Sequence, residues 1–142
     1  MEGELDPFRF EAMTLDGGTL DTGELVGQRR VAFWAWARWC PTCNREAPTV
    51  AAVVERFADR ISFVGVAGRD DEAPMRTFVE RHALTTIPHV VDRDGELWRR
   101  LGVPGQPMWV LVATDGTVWR FVGLVDEATL SAALDELVSG AA

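Results

Sequence analysis

The feature that most constrains this chain is a Cys-x-x-Cys pair set between two apolar segments of different period. Cys40 and Cys43 are its two cysteines. Ahead of them, residues 31–36 (Val-Ala-Phe-Trp-Ala-Trp) run without a polar side chain, the pattern of a strand buried on both faces. Behind them, within a segment from Pro41 to about residue 58, Val50, Val53, Val54 and Phe57 recur at i, i+3, i+4, i+7, one stripe of a helix. A cysteine pair at a strand-to-helix junction is a redox motif. A helix starting at Pro41 puts Cys40 at its N-terminus, where unpaired N–H groups and the positive end of the dipole face the sulfur. Both favour the thiolate, which is the nucleophile. Pro41 suits the first helical position, since it lacks an N–H that would have no partner there. Cys43, nearly one turn further in, is close enough to form a disulfide with Cys40 and is expected to be the more shielded.

Length and charge narrow the field. A chain of 142 residues is one domain on size grounds, spanning 1–142, and buries enough surface to fold without a staple. The cysteines are therefore available for chemistry. A formal net charge of −8 argues against nucleic acid or an anionic membrane as partner. No apolar run approaches the roughly 18 residues of a membrane span. Residues 1–7 are acidic, lack the hydrophobic stretch of a signal peptide, and read as a disordered lead; residues 139–142 read as a frayed tail.

Along the chain, residues 8–15 alternate as a strand, 16–19 form a turn and 20–27 a polar connector. Further strands are expected at 31–36, 61–67, 88–91, 108–113 and 118–122, with helices at 72–83 and 97–101. A last helix, capped by Asp126, has Leu130, Leu134 and Leu137 on one face. Strand, helix, strand implies a right-handed parallel crossover.

The segment Trp36-Ala37-Arg38-Trp39-Cys40-Pro41-Thr42-Cys43 resembles the W-A-x-W-C-x-x-C signature of thioredoxin-fold oxidoreductases. Over roughly residues 10–138 the chain is similar to the TlpA/ResA/DsbE branch, including secreted DsbE-like proteins of actinobacteria. The resemblance implies an α/β fold, a thioredoxin-like three-layer α/β/α sandwich with a central mixed sheet. It adds an N-terminal β-hairpin extension and an inserted helix–strand unit, visible as residues 72–91. It also implies a thiol–disulfide oxidoreductase acting on protein thiols and disulfides, regenerated by a redox partner, with no cofactor beyond a Cys40–Cys43 disulfide. A monomer is expected. Relatives are typically exported, which favours an extracytoplasmic mature form without its signal segment over a cytoplasmic protein.

Cys40 is then the attacking thiolate and Cys43 the resolving thiol, working through a mixed disulfide. Pro107 resembles the cis-proline that faces the cysteine pair, exposing the Gln106 backbone for an extended substrate segment; Pro88 is the rival, at a distance from Cys40 that suits a bare thioredoxin. Glu46 shares a helical face with Cys43 and matches a family glutamate two residues before Pro48, which sits where thioredoxins kink this helix. It is either a proton acceptor for Cys43 or a solvated acid favoured by the helix dipole. Bare thioredoxins carry a buried acid six residues before the first cysteine; that position is Trp34 here, so the proton-relay role is absent or has moved to Glu46. Trp39 offers an apolar contact surface to substrate and Trp36 packs beneath the site, whereas Trp34, Trp98 and Trp119 read as core. A zinc site would need His82 and His89, which six residues separate, outside the usual ligand spacing, so no metal is expected. The direction of electron flow stays open. The Met108-Trp109 pair after the loop proline departs from the Glu-Thr of cytochrome c maturation reductants and leans toward the secreted oxidants. A reductant of that kind, or a non-enzymatic metal-binding or chaperone module on the same scaffold, is the alternative.

Overall fold

The structure is a computed structural model that describes residues 2–140. Its centre is a five-stranded mixed sheet of β3 (Val31–Trp36), β4 (Ser62–Gly68), β5 (His89–Asp92), β6 (Met108–Val112) and β7 (Val118–Val122), in the order β5-β4-β3-β6-β7. The apolar run before the cysteines becomes the middle strand, buried at every residue, parallel to β4 and antiparallel to β6. Burial on both faces explains why this strand does not alternate. Strands β6 and β7 close the sheet as an antiparallel hairpin.

Successive residues of β3 point to opposite faces. Trp34 and Trp36 face the layer holding α1 (Pro41–Phe57), α2 (Glu72–Arg81) and α4 (Glu127–Ser139), with Phe78 of α2 stacked on Trp36 at 4.3 Å between ring centroids. Phe33 faces the other layer, where Phe8 and Phe10 lie against it beside α3 (Glu96–Leu101). Trp98 of α3 crosses Gly68, where a Cβ would stand 2.2 Å from the indole, so only glycine admits this close approach. The inserted unit is α2 with β5, and the N-terminal extension is the hairpin of β1 (Glu11–Met13) and β2 (Thr19–Asp21).

The boundaries depart most from expectation at three places. The lead over 1–7 is not disordered from residue 2 onward: Glu2–Phe8 is a 3-10 helix, because Leu5 and Phe8 find apolar cover and Arg100 bonds the Asp6, Pro7 and Arg9 carbonyls. The strand expected over 8–15 shrinks to Glu11–Met13, since Phe8 and Phe10 are spent on Phe33 rather than on a ladder. Of the tail expected to fray, Ser139 ends α4 and Gly140 caps it in the left-handed conformation; residues 141 and 142, like Met1, lie outside the described residues.

Candidate active site

Helix α1 begins where the sequence places it, with Pro41 in its first turn and Cys40 as N-cap. A serine or aspartate in that role lends a side-chain oxygen to an orphan N–H. Here the sulfur does so: the Cys43 amide donates to Cys40 Sγ at 3.2 Å. Both cysteines are free thiols. Cys40 retains 4% of its surface and Cys43 none. Burial, first of all, pushes the Cys43 thiol far up, and its contacts with Cys40 and the charge of Glu46 add to that.

The loop facing Cys40 leads into β6, the antiparallel neighbour of β3. The Gln106–Pro107 peptide is cis, whereas Pro88 follows no cis bond. The Gln106 carbonyl lies 3.8 Å from Cys40 Sγ, and Gly123 N donates to the Pro107 carbonyl, tying this loop to the end of β7.

Glu46 is wholly buried, which sets aside the solvated-acid reading. Its carboxylate accepts from Trp34 Nε1 at 2.7 Å and from the Val125 amide at 2.9 Å. Burial raises its pKa, against the opposing pull of the Val125, Trp34 and Trp109 N–H groups. Trp34 occupies the strand position at which bare thioredoxins carry an acid, and it holds the acid that α1 supplies instead. Its N–H has this partner although the sequence suggested only core packing. Val125 contributes a backbone N–H just before α4, which no side-chain pattern signals.

The two tryptophans flanking the pair separate. Trp39 is 45% exposed, with its Nε1 donating to the carbonyl of Arg69, a residue held at φ 57°. Trp36 is fully buried and donates Nε1 to His89 Nδ1 at 3.1 Å. His89 Nε2 lies 2.8 Å from the Leu84 carbonyl, which assigns the proton to Nε2. Burial lowers this histidine to about 4, so it is neutral at physiological pH. Arg38 bonds Asp70 and Arg45 bonds Thr42. Pro48 lies exposed within α1. Asn44 was not foreseen: its Nδ2 donates to the Arg38 and Cys40 carbonyls, and its Oδ1 meets His82 Nε2. Trp119 is only partly buried. Among the described residues, no three His, Cys, Asp or Glu side chains group closely enough to hold a metal ion, and no helix is long and apolar enough to cross a membrane.

A dithiol at the head of a helix, a cis-proline loop opposite and a mixed sheet behind define a thioredoxin-fold thiol–disulfide oxidoreductase. The Redoxin profile spans residues 2–137, and the chain belongs to that family. It is 37% identical over 129 residues to the soluble secreted antigen MPT53 of Mycobacterium tuberculosis, covering 91% of this chain and 70% of the antigen. The solved structure of MTB DsbF in its mixed oxidized and reduced forms matches with a TM-score of 0.86 at 35% identity, over 92% of this chain and 96% of that one. A secreted M. tuberculosis disulfide oxidoreductase homologous to E. coli DsbE gives 0.84 at 33% identity, over 95% and 98%.

Proposed function

We propose that this chain oxidises the dithiols of protein substrates outside the cytoplasm. The observation that carries the direction is the Cys43 amide bond to Cys40 Sγ. A hydrogen bond to sulfur strengthens as the sulfur gains charge, so this bond favours the reduced side of the couple and makes the disulfide the better oxidant.

The cycle starts from the Cys40–Cys43 disulfide. A substrate thiolate attacks Cys40 Sγ; a bond forms between the substrate sulfur and Cys40 as the Cys40–Cys43 bond breaks. Cys43 leaves as thiolate and takes the proton held by the raised Glu46 carboxyl. A second substrate thiolate attacks the first substrate sulfur, and Cys40 leaves. The substrate loses two electrons to the protein; of the two protons its thiols release, one goes to the leaving Cys40 sulfur and the other restores the Glu46 carboxyl. A disulfide-bearing redox partner restores the starting state. In the reverse sense, the Glu46 carboxylate takes the Cys43 proton.

Substrate contact falls to Trp39, Gln106 and Pro107. The exposed indole gives an apolar platform, and the Gln106 backbone beside Cys40 suits an extended segment pairing as an added strand. Trp36, Pro41 and Pro48 act as the frame. Location outside the cytoplasm rests on likeness to the two secreted mycobacterial proteins. Equilibration with defined thiol–disulfide buffers, read by cysteine alkylation, tests the direction. A potential toward about −120 mV supports an oxidant; one near about −270 mV makes the chain a reductant.

A further inference from the structure

Trp34 and Trp109 stand directly opposite each other in the β3–β6 register, their rings stacked at 6.1 Å and 29°. Both are wholly buried. Trp34 Nε1 reaches Glu46 Oε1 at 2.7 Å. Trp109 Nε1, by contrast, is a buried donor without a hydrogen-bond partner among the described residues, although the indole lies against the same carboxyl and favours its charged form. A buried N–H left without a partner destabilises the fold, so it calls for an explanation.

We propose that Trp34 and Trp109 form a two-indole cradle for the Glu46 carboxylate, Trp34 holding it throughout and Trp109 closing on it when its proton leaves. Trp109 Nε1 then sits beside the carboxyl short of hydrogen-bond geometry and completes the bond once the acid is ionised. The arrangement fits the electrostatics of the pocket. What faces Glu46 from β3, β6 and the segment before α4 is N–H: Trp34, Trp109 and Val125. The interacting ionisable group is Cys43 on α1, which trades its proton with it. No cation among the described residues acts on Glu46, so the indole donors decide how readily the buried acid ionises, and with it how readily Cys43 gains or gives a proton. Both tryptophans are positioning residues, acting through Glu46. The inference rests on the proposed proton exchange between Glu46 and Cys43, and two separate readouts keep them distinguishable.

The test is an NMR titration of the wild-type chain in its oxidised and reduced forms, following the indole N–H signals and the Glu46 side-chain carbon. Both indole signals are expected to move with pH in step with Glu46, Trp109 by the larger amount, and to lie still in Glu46→Gln. A Trp109 signal that stays fixed while Glu46 ionises overturns the cradle. Indoles that track a Glu46 indifferent to the redox state uphold the cradle and overturn the proton exchange. Trp34→Phe and Trp109→Phe, which keep a ring and remove the N–H, are each expected to raise the Glu46 midpoint by about one pH unit. An unchanged midpoint in folded variants contradicts the inference, and the wild-type titration decides it even where a variant does not fold.

Discussion

The amide of Cys43 donates to the sulfur of Cys40 at 3.2 Å, so the resolving residue's own backbone holds the attacking atom. The two thiols therefore face different surroundings: one caps a helix and keeps a sliver of exposure, the other is wholly buried beneath it and raised by that burial. Limiting iodoacetamide on the reduced protein at pH 7 should label Cys40 over Cys43 by about tenfold or more, since thiolate and access together govern alkylation. Peptide mass mapping reads the ratio.

Glu46→Gln keeps the shape of the side chain and removes its proton chemistry. Burial raises the carboxyl, so Glu46 holds its proton at low pH and gives it up as pH climbs through that raised value. The sign for stability follows: a raised folded-state pKa lends stability below the unfolded value, and that contribution is lost as pH rises through the folded one. In the exchange reaction, the step that protonates or deprotonates Cys43 should slow by about 100-fold in the variant. Stopped-flow tryptophan fluorescence against pH measures it, and the pH dependence should shift to that of the unaided Cys43 thiol.

Trp36 and His89 form a second buried pair, and Gly65 leaves room for it: a Cβ there would stand 2.0 Å from His89 Nδ1. His89 at about 4 lies below its unfolded value near 6.5, so the unfolded chain binds the proton more readily. Its contribution is complete above about pH 6.5 and is lost as pH falls toward 4, by about 3 kcal/mol in all. Urea unfolding across that window should show the slope, and His89→Gln should flatten it. Gly65→Ala should cost about 1–3 kcal/mol by overpacking.

Asn44 bridges α1 to the loop that carries Trp39, donating to the Arg38 and Cys40 carbonyls while meeting His82 of the α2 end. Asn44→Ala removes both side-chain donations; the Cys40 carbonyl keeps the Asn44 backbone amide at 3.1 Å, and the Arg38 carbonyl loses its side-chain donor. A loss of about 1–2 kcal/mol is expected in chemical unfolding. Faster hydrogen exchange at Trp39 and Cys40 should accompany it.

Much of this was legible beforehand. The unbroken apolar run became the central strand, the i, i+3, i+4, i+7 stripe became α1, and Cys40 took the helix start because proline follows it. The cis bond falls at Gln106–Pro107 rather than before Pro88, in line with the inserted α2–β5 unit. What escaped depends on which side chains meet across elements. Trp34 looked like core because a strand's period gives its face but not the carboxylate opposite it. The Val125 amide and the Asn44 bridge use backbone groups, which every residue carries. Residues 2–7 looked disordered because a single leucine among acids has no periodic signature, yet Leu5 is buried, as is Phe8 at the end of the same 3-10 helix.

The central claim is that Cys40 is the sulfur that joins the substrate in the mixed disulfide, attacked in the oxidising direction and attacking in the reverse, with Cys43 as its intramolecular partner. Single-cysteine trapping tests it most directly: Cys40→Ser and Cys43→Ser are each incubated with a substrate protein carrying one accessible disulfide, and mixed disulfides are resolved on non-reducing gels. Cys43→Ser should accumulate a long-lived mixed disulfide through Cys40, with almost none from Cys40→Ser. Equal trapping by both variants, or trapping through Cys43 alone, would contradict it.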